Sequence, residues 1–350
     1  MGGDKNCKHF RVLFICKKRL DEYGISFGLI NSARFVSWYL NSIGIESKVI
    51  EVEDANCIDR EVTHYHATHV IIEAIWVSPE KMNELFKFKR HRERTWVVRI
   101  HSKIPFLSNE RMAMEWIGKY LELQAALPMV KFFVAPNTQQ LTHQLNETYK
   151  VRAKHGVITL PNIYFPFSDE EECEHKVSKE HVNIGCFGAI RPLKNQLAQA
   201  CAAIEFANKL NKTLAFHMTA NRIEDKTDAI LRNIIAVFEF NPQHKLVLHK
   251  WRNHAKFLKL VGQMDLGMQV SFSESFNIVA ADFVHMGVPI VVSKDIDWLA
   301  LNATADCNSQ EDMVNTLAAN YKHPKLNSAI NSFMMARYNN NAKDIWEDFI

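Results

Sequence analysis

The sequence predicts an α/β protein of two Rossmann-like, doubly wound domains, and three observations carry that expectation. Short apolar, strand-like runs alternate with helical stretches along all 350 residues. Residues 167–180, FSDEEECEHKVSKE, are charged and turn-prone, and they separate two such series as a linker would. Each series opens on an apolar run that leads into a loop and then a helix, as nucleotide-binding halves do.

In the first series the strands expected are RVLFIC, SKVIEV, HVIIEAIW, TWVVRI and KFFVAP, followed by VITLPN. In the second they are NIGCFGAI, LAFHMTA, KLVLHK, LGMQVS and PIVVS. The boundaries expected are 1–166 for the first domain, 167–180 for the linker and 181–326 for the second domain. A last helix, about 327–350, carries apolar anchors such as Phe333, Met334, Tyr338, Ile345, Trp346 and Phe349.

Composition narrows the class. A chain that is 47% hydrophobic and 23% charged is that of a soluble globular protein, with length for two cores. No run approaches the roughly 20 apolar residues of a membrane span. The opening MGGDKNCKHFRVLFICKK lacks a signal peptide's order, and seven scattered cysteines form no C-x-x-C pair. A reducing cytoplasm is the expected setting. Net charge is +3, but residues 1–165 hold 23 Lys and Arg against 17 Asp and Glu. The densest basic run, Lys87 to Arg94, is either a solvated helix face or a landing surface for a polyanion.

The most informative stretch is SFSESFNIVAADFVHMGVPIVVS, Ser271 to Ser293. It reads as a loop feeding a helix, closed by Gly287 and Pro289, then a buried strand. Glu274 stands at the loop and Asp282 inside the helix, a little over two turns apart, so both can lie on one side of a crevice. The helix start offers unpaired amides, at Phe276 and Asn277 beside Ser275, to an anion. Two carboxylates for hydroxyls and an amide cradle for phosphate suit a nucleotide-sugar. In NIGCFGAIRPLKNQ a strand runs into Gly188 and a turn bearing Arg191 and Lys194, two cations able to reach one diphosphate.

These two segments resemble those of retaining GT-B glycosyltransferases of the large glycogen-synthase-like group, whose motif is an acid, seven residues and an acid. Two departures stand in the motif: the second acid is usually Glu where this chain has Asp282, and a Gly commonly follows the Phe where it has Asn277. The usual Arg after the glycine is Ala189 here, with Arg191 two places on. The resemblance implies two domains facing a central cleft, with a C-terminal helix crossing back to the first. It implies that the second domain binds a nucleotide-sugar, such as a UDP-sugar, as co-substrate and that no further cofactor is needed. Lys194 and Arg191 would hold the diphosphate, Glu274 the sugar hydroxyls and Asp282 the ribose. LVLHKWRNHAKF resembles the strand and loop holding the base, where Trp251 either stacks on it or caps the core.

In the first domain Gly24 and Gly28 precede a helix, a pattern shared with a plain Rossmann turn. TWVVRIHSKIPFL ends a strand at His101, and related glycosyltransferases place a histidine there beside the reacting sugar. RIHSKIPFL with NERMAMEW also resembles a segment of bacteriophage-encoded members. That likeness suggests hydroxymethylated DNA bases as first acceptor, held through Lys87, Lys89, Arg90, Arg92 and Arg94, with an envelope glycan or lipid second. His64, His66 and His69 have ligand-like spacing without a fourth ligand, and Asp295-Ile-Asp297 only mimics the metal motif of another glycosyltransferase fold; no metal is expected. A non-catalytic binding protein on the same scaffold, or a GT-B phosphorylase or epimerase, stays open.

Overall fold

The computed structural model describes residues 10–18, 27–110, 112–150, 156–166, 181–220 and 228–350. Gly24, the 167–180 segment and Arg111 lie outside the described residues. The chain divides into two compact units, Met1–Pro166 with Asn339–Ile350, and Phe167–Tyr338.

The first unit contains strands β1 (Arg11–Lys17), β2 (Glu46–Val52), β3 (His69–Glu73), β4 (Thr95–Ile100) and β5 (Phe132–Pro136). They form one parallel sheet in the order β2-β1-β3-β4-β5. Helices α1 (Phe27–Ser42), α2 (Cys57–Tyr65), α3 (Pro79–Phe86), α4 (Lys89–Arg92), α5 (Ile104–Leu107), α6 (Ala113–Ala126) and α7 (Gln139–Tyr149) connect them. Parallel strands need such crossovers, and helices on the faces explain why β3 and β4 are buried at every position. The winding reverses between β1 and β3, so their outgoing loops diverge at the carboxyl edge and leave a crevice there.

Two expected strands are cut short. HVIIEAIW stops at Glu73 because Ala74 takes a left-handed backbone with φ 70°, and its amide bonds the Arg99 carbonyl. Among the described residues, VITLPN touches the sheet through a bridge between Val157 and Val134 and amide bonds from Ile158 and Leu160. The Leu160 and Pro161 carbonyls accept from side chains instead of a neighbouring strand.

The second unit repeats the plan with β6 (His181–Gly185), β7 (Thr213–Thr219), β8 (Lys245–His249), β9 (Leu266–Gln269), β10 (Ile290–Ser293) and the short β11 (Thr304–Ala305). Their order is β11-β10-β9-β6-β7-β8, all parallel, with the reversal between β6 and β9. Helices α8 (Gln196–Lys209), α9 (Ala229–Glu239), α10 (His254–Val261), α11 (Ile278–His285) and α12 (Gln310–Lys322) cover it. Gly185 and Gly267 pair across β6 and β9, and a side chain on either would come within 2.8 Å of the Phe283 ring. Their lack of a Cβ lets α11 lie close on the sheet and so fixes where its N-terminus points.

The last helix, α13, runs Pro324–Phe349. Its first part belongs to the second unit and its residues from Asn339 to the first. There Trp346 is fully buried, its ring 5.8 Å from Phe14 and 5.2 Å from the Arg99 guanidinium, and its indole N–H bonds the Pro161 carbonyl at 2.8 Å. No described helix is long and apolar enough to cross a membrane. Trp346→Ala should cost about 3–5 kcal/mol, as large-to-small changes in cores do, read as a lower midpoint in chemical denaturation.

Candidate functional site

The second unit assembles its site where the winding reverses. The loop after β6 brings Gly188, Arg191 and Lys194, and the loop after β9 brings Ser271 to Asn277. A backbone bond from the Phe272 amide to the Leu193 carbonyl, 2.9 Å, ties the two loops together. Lys194 and Glu274 form a direct ion pair, with side chains only 11% and 8% exposed. Burial pulls the Lys194 ammonium below its ordinary range, Glu274 opposes that pull and neighbouring Arg191 adds to it. Gly188 has φ 116°, which favours glycine, and open space where a side chain would be. A ligand can therefore come against the backbone at that point.

Buried amide side chains, which the sequence reading missed, hold both loops. Asn195 donates to the Val270 and Cys307 carbonyls, and Gln196 to Ala189. Gln199 donates to the Lys194 carbonyl and accepts from the Val270 amide. Gln269 donates to Phe187 and accepts from Asn277. Such a network fixes the charged pair in place. The signal was the amide spacing in LKNQLAQ, too common in surface helices to be read as buried. Beside the pair, the hydroxyls of Ser271, Ser273 and Ser293 are buried and have no hydrogen-bond partner among the described residues. Unpaired buried hydroxyls at strand carboxyl ends suit a polar ligand.

Asn277 stands where the motif that the sequence resembles commonly has a glycine. Its backbone is left-handed, φ 56°, a region that favours glycine and that Asn tolerates better than most residues. Its side-chain oxygen also caps α11 by accepting from the Ala280 amide at 3.0 Å. Among the described residues, no hydrogen bond takes the Phe276 or Asn277 amides. The Phe276 ring itself is core, stacked 5.4 Å from Trp298 and 5.2 Å from Tyr338. Ser275, between Glu274 and Phe276 in the sequence, is half-buried. Asp282 is buried, its carboxylate 2.7 Å from His254 Nε2. Trp251 is half-buried in the loop after β8, at the same edge of the sheet.

Asp295 accepts from the Glu274 amide at 3.0 Å and so holds the loop that carries the carboxylate. Of the three histidines near the end of α2, His66 is its left-handed cap and His69 packs edge-on to Phe10 and Phe349. Burial holds the His69 imidazole down to about 4.

In the first unit, His101 follows β4 and its Nε2 bonds Glu73 at the end of β3. Glu73 is fully buried and also pairs with fully buried Arg99 at 3.1 Å. Arg99 donates further to the Leu160 and Pro161 carbonyls and to Asn162. Burial pushes the Glu73 carboxyl up, but Arg99 and His101 outweigh it and hold it below its ordinary value. Burial pushes the His101 imidazole down against the pull of Glu73. Glu73 and Arg99 escaped the sequence reading, although a charge closing each of HVIIE and TWVVR was visible. Gly28 lies in the first turn of α1, exposed and with open space around it.

The basic run stands elsewhere. It precedes β4, whereas His101 follows that strand, so the two lie at opposite edges of the sheet, about 20 Å apart at six residues of about 3.3 Å each. Arg90 grips Asp59 with bonds of 2.8–3.1 Å, Arg94 bonds the Ala67 and Arg90 carbonyls, and Lys89 lies 3.7 Å from Glu93. Lys87 and Arg92 are exposed.

Asn277→Gly should keep the left-handed turn and lose only the cap, whereas Asn277→Ala should lose both. The expected difference is about 1–2 kcal/mol in unfolding free energy, with Ala the worse. Equal losses by urea denaturation would contradict the strain at this residue.

No protein-family model and no curated protein sequence matches the chain. Solved structures do. A trehalose-6-phosphate structure from E. coli bound with UDP-2-fluoro glucose matches with TM-score 0.68 and 8% identity, over 97% of this chain and 98% of that one. The N-terminal domain of Candida albicans trehalose-6-phosphate phosphatase matches with TM-score 0.69 and 10% identity, over 99% and 98%. The pneumococcal O-GlcNAc transferase GtfA, in complex with UDP and GlcNAc, matches with TM-score 0.57 and 14% identity, over 83% of this chain and 58% of that one. At these identities what is shared is the architecture: two parallel-sheet, Rossmann-like units in the GT-B fold.

Proposed function

We propose that the protein is a glycosyltransferase that moves a sugar from a nucleotide-sugar, such as a UDP-sugar, to a hydroxyl acceptor. The observation that carries this reading is the Lys194–Glu274 pair at the winding reversal of the second unit, beside open Gly188 and the α11 amides. Lys194 and Arg191 take the diphosphate, with the Phe276 and Asn277 amides adding a helix-end anion site. Glu274, once its lysine turns to phosphate, takes sugar hydroxyls. Asp282 meets the ribose together with His254, which already bonds it. Ser275 lies beside these groups, and Trp251 flanks the base. Solved structures of the same fold, named as holding UDP-2-fluoro glucose or UDP with GlcNAc, support the donor class.

Transfer proceeds with retention, as the resemblance implies. Without an enzymatic nucleophile the acceptor attacks on the leaving group's face, and the departing phosphate helps to accept its proton. Lys194 and Arg191 stabilise the charge that develops there, which is the task a metal would otherwise perform. The resemblance assigns His101 the role of the histidine that meets the reacting sugar.

For the acceptor, the placement of the basic run weighs against the DNA base suggested by the phage-like segment. A duplex held by Lys87, Lys89 and Arg92 would lie at the sheet edge opposite His101, and Arg90 and Arg94 are committed to Asp59 and backbone carbonyls. A glycan or lipid-linked hydroxyl is therefore the acceptor we favour.

Lys194→Ala should lower kcat about a hundredfold, the effect of removing one charge stabiliser from a developing oxyanion, with little change in melting temperature. Glu274→Gln should do likewise. Wild-type rates in both, at saturating donor, would refute the donor site. Because the Lys194 ammonium is depressed by burial, donor affinity should fall with rising pH before the ordinary lysine value of about 10.4 is reached. Lys194→Arg should move that fall to higher pH, as an arginine stays charged.

DNA binding, if present, should weaken steeply with salt. Replacing Lys87, Lys89 and Arg92 with Ala should leave transfer to a glycan or lipid acceptor unchanged. A loss of activity confined to DNA substrates would restore the base as acceptor.

A further inference from the structure

The first part of α13 is folded inside out. On a helix that covers a soluble core, apolar residues face inward and polar ones face water. Here Asn327, Ser328 and Asn331 are buried, while Leu326 is 61% and Phe333 68% exposed. We propose that this face lies on an anionic lipid bilayer, with Leu326, Phe333 and neighbouring Leu301 entering the headgroup region and Lys322, Lys325 and Arg337 meeting lipid phosphates. Nothing in that contact depends on the transferase reading.

The fold gathers these apolar residues and holds them outward. Leu326, half-buried Ile330, Phe333 and exposed Arg337 follow at spacings of four, three and four, which keeps them on one stripe of the helix. The short 3-10 turn Leu301–Ala303 is tied to the start of α13, because Asn302 Nδ2 bonds Asn327 Oδ1 at 2.6 Å. The Asn302 carbonyl also accepts from Asn320 of α12 at 3.0 Å. Leu301, next to Asn302 in the chain, is 85% exposed. The helix cannot roll to hide its stripe. Asn327 donates to the Ala319 carbonyl, and the Tyr338 ring, one turn past Phe333, stacks 5.2 Å from Phe276.

Charge identifies what covers the stripe. From Met313 to Lys343 the chain has no Asp or Glu, but it has Lys322, Lys325, Arg337 and Lys343. The first three are exposed, and Lys325 and Arg337 stand at the two ends of the stripe. Asp297 and Asp306 flank Leu301 in the chain, so the positive charge comes from α12 and α13 alone. Long basic side chains can lay their stems along an apolar face and carry the charge out to phosphate. Ala329, Ser332 and Ala336, also exposed on this helix, are small and uncharged. Large apolar tips with small residues between them and cations at the ends suit a surface that is apolar within and negative outside, as an anionic bilayer is.

The test is co-sedimentation at low salt with vesicles of phosphatidylcholine, alone or mixed with phosphatidylglycerol. Wild type should sediment with the mixed vesicles and stay in solution with the neutral ones. No binding to the mixed vesicles, or equal binding to both, overturns the assignment. Leu326→Ser together with Phe333→Ser should lower the partition constant about tenfold or more, the effect of apolar side chains no longer leaving water. Replacing Lys322, Lys325 and Arg337 with Ala should lower it about fivefold for each. Binding that either set leaves at the wild-type level also overturns it. Should the serine variant fail to fold, Phe333→Trp decides: its added emission should move to the blue on mixed vesicles, and an unmoved emission sinks the contact. A dimer in sedimentation velocity that the Leu326 and Phe333 changes dissolve, with no vesicle binding, would give the face to a second copy of the chain instead.

Discussion

The ion pair of Lys194 and Glu274 exists because of how a parallel sheet must be wound. All strands of such a sheet end at one edge, and each outgoing loop turns into a helix on one face or the other. At a single place the winding reverses and two neighbouring strands send their loops apart. In the second unit that place lies between β6 and β9, and the loops that part there carry the lysine and the glutamate. Two glycines on those strands let α11 sit against the sheet, and Asn277 turns its N-terminus into the same space. Remove the reversal and the two residues, 80 positions apart in the chain, have no reason to meet.

Neither buried pair is explained by stability. Taking a carboxylate and a cation out of water costs several kcal/mol each, and well-packed apolar residues in their place are often as stable or more so. Yet each unit spends a carboxylate and a cation at the carboxyl edge of its sheet. In the second unit the pair is nine-tenths buried, next to serine hydroxyls that have no described partner. In the first the pair is fully enclosed, and a histidine that is 14% exposed relays it outward. The second unit's pair can exchange partners when an anion arrives; the first unit's can only orient. That difference in burial separates a binding pair from a supporting one.

Strands and their alternation with helices were legible because apolar runs between turn residues depend on local sequence alone. Glu274, Lys194 and Gly188 were legible because a motif keeps them at set spacings. What stayed hidden has one common cause. Glu73 and Arg99, 26 residues apart, matter only because β3 and β4 are neighbours, and Gln199 matters only because Val270 comes to it. The end of β3 at Ala74 could not be read either, since alanine carries no sign of a left-handed backbone that tertiary bonds impose. The amides in LKNQLAQ looked like ordinary solvent-facing residues for the same reason.

The basic run shows how placement bears on what local composition suggests. Lys87 to Arg94 has the density of charge that a polyanion would seek, and no reading of the chain alone could say at which end of the sheet it stands. The strand that follows it decides the matter. β4 begins at Thr95, directly after the run, and ends one residue before His101, so charge and histidine are held a strand's length apart by a rigid element. Arg90 then turns to Asp59 on α2, and the Trp96 indole bonds the His91 carbonyl, which makes the run a fastening of α4 to the amino edge of the sheet. A cluster of charge is a surface only after its partners inside the fold have been subtracted, and here that subtraction removes two arginines and pairs one lysine.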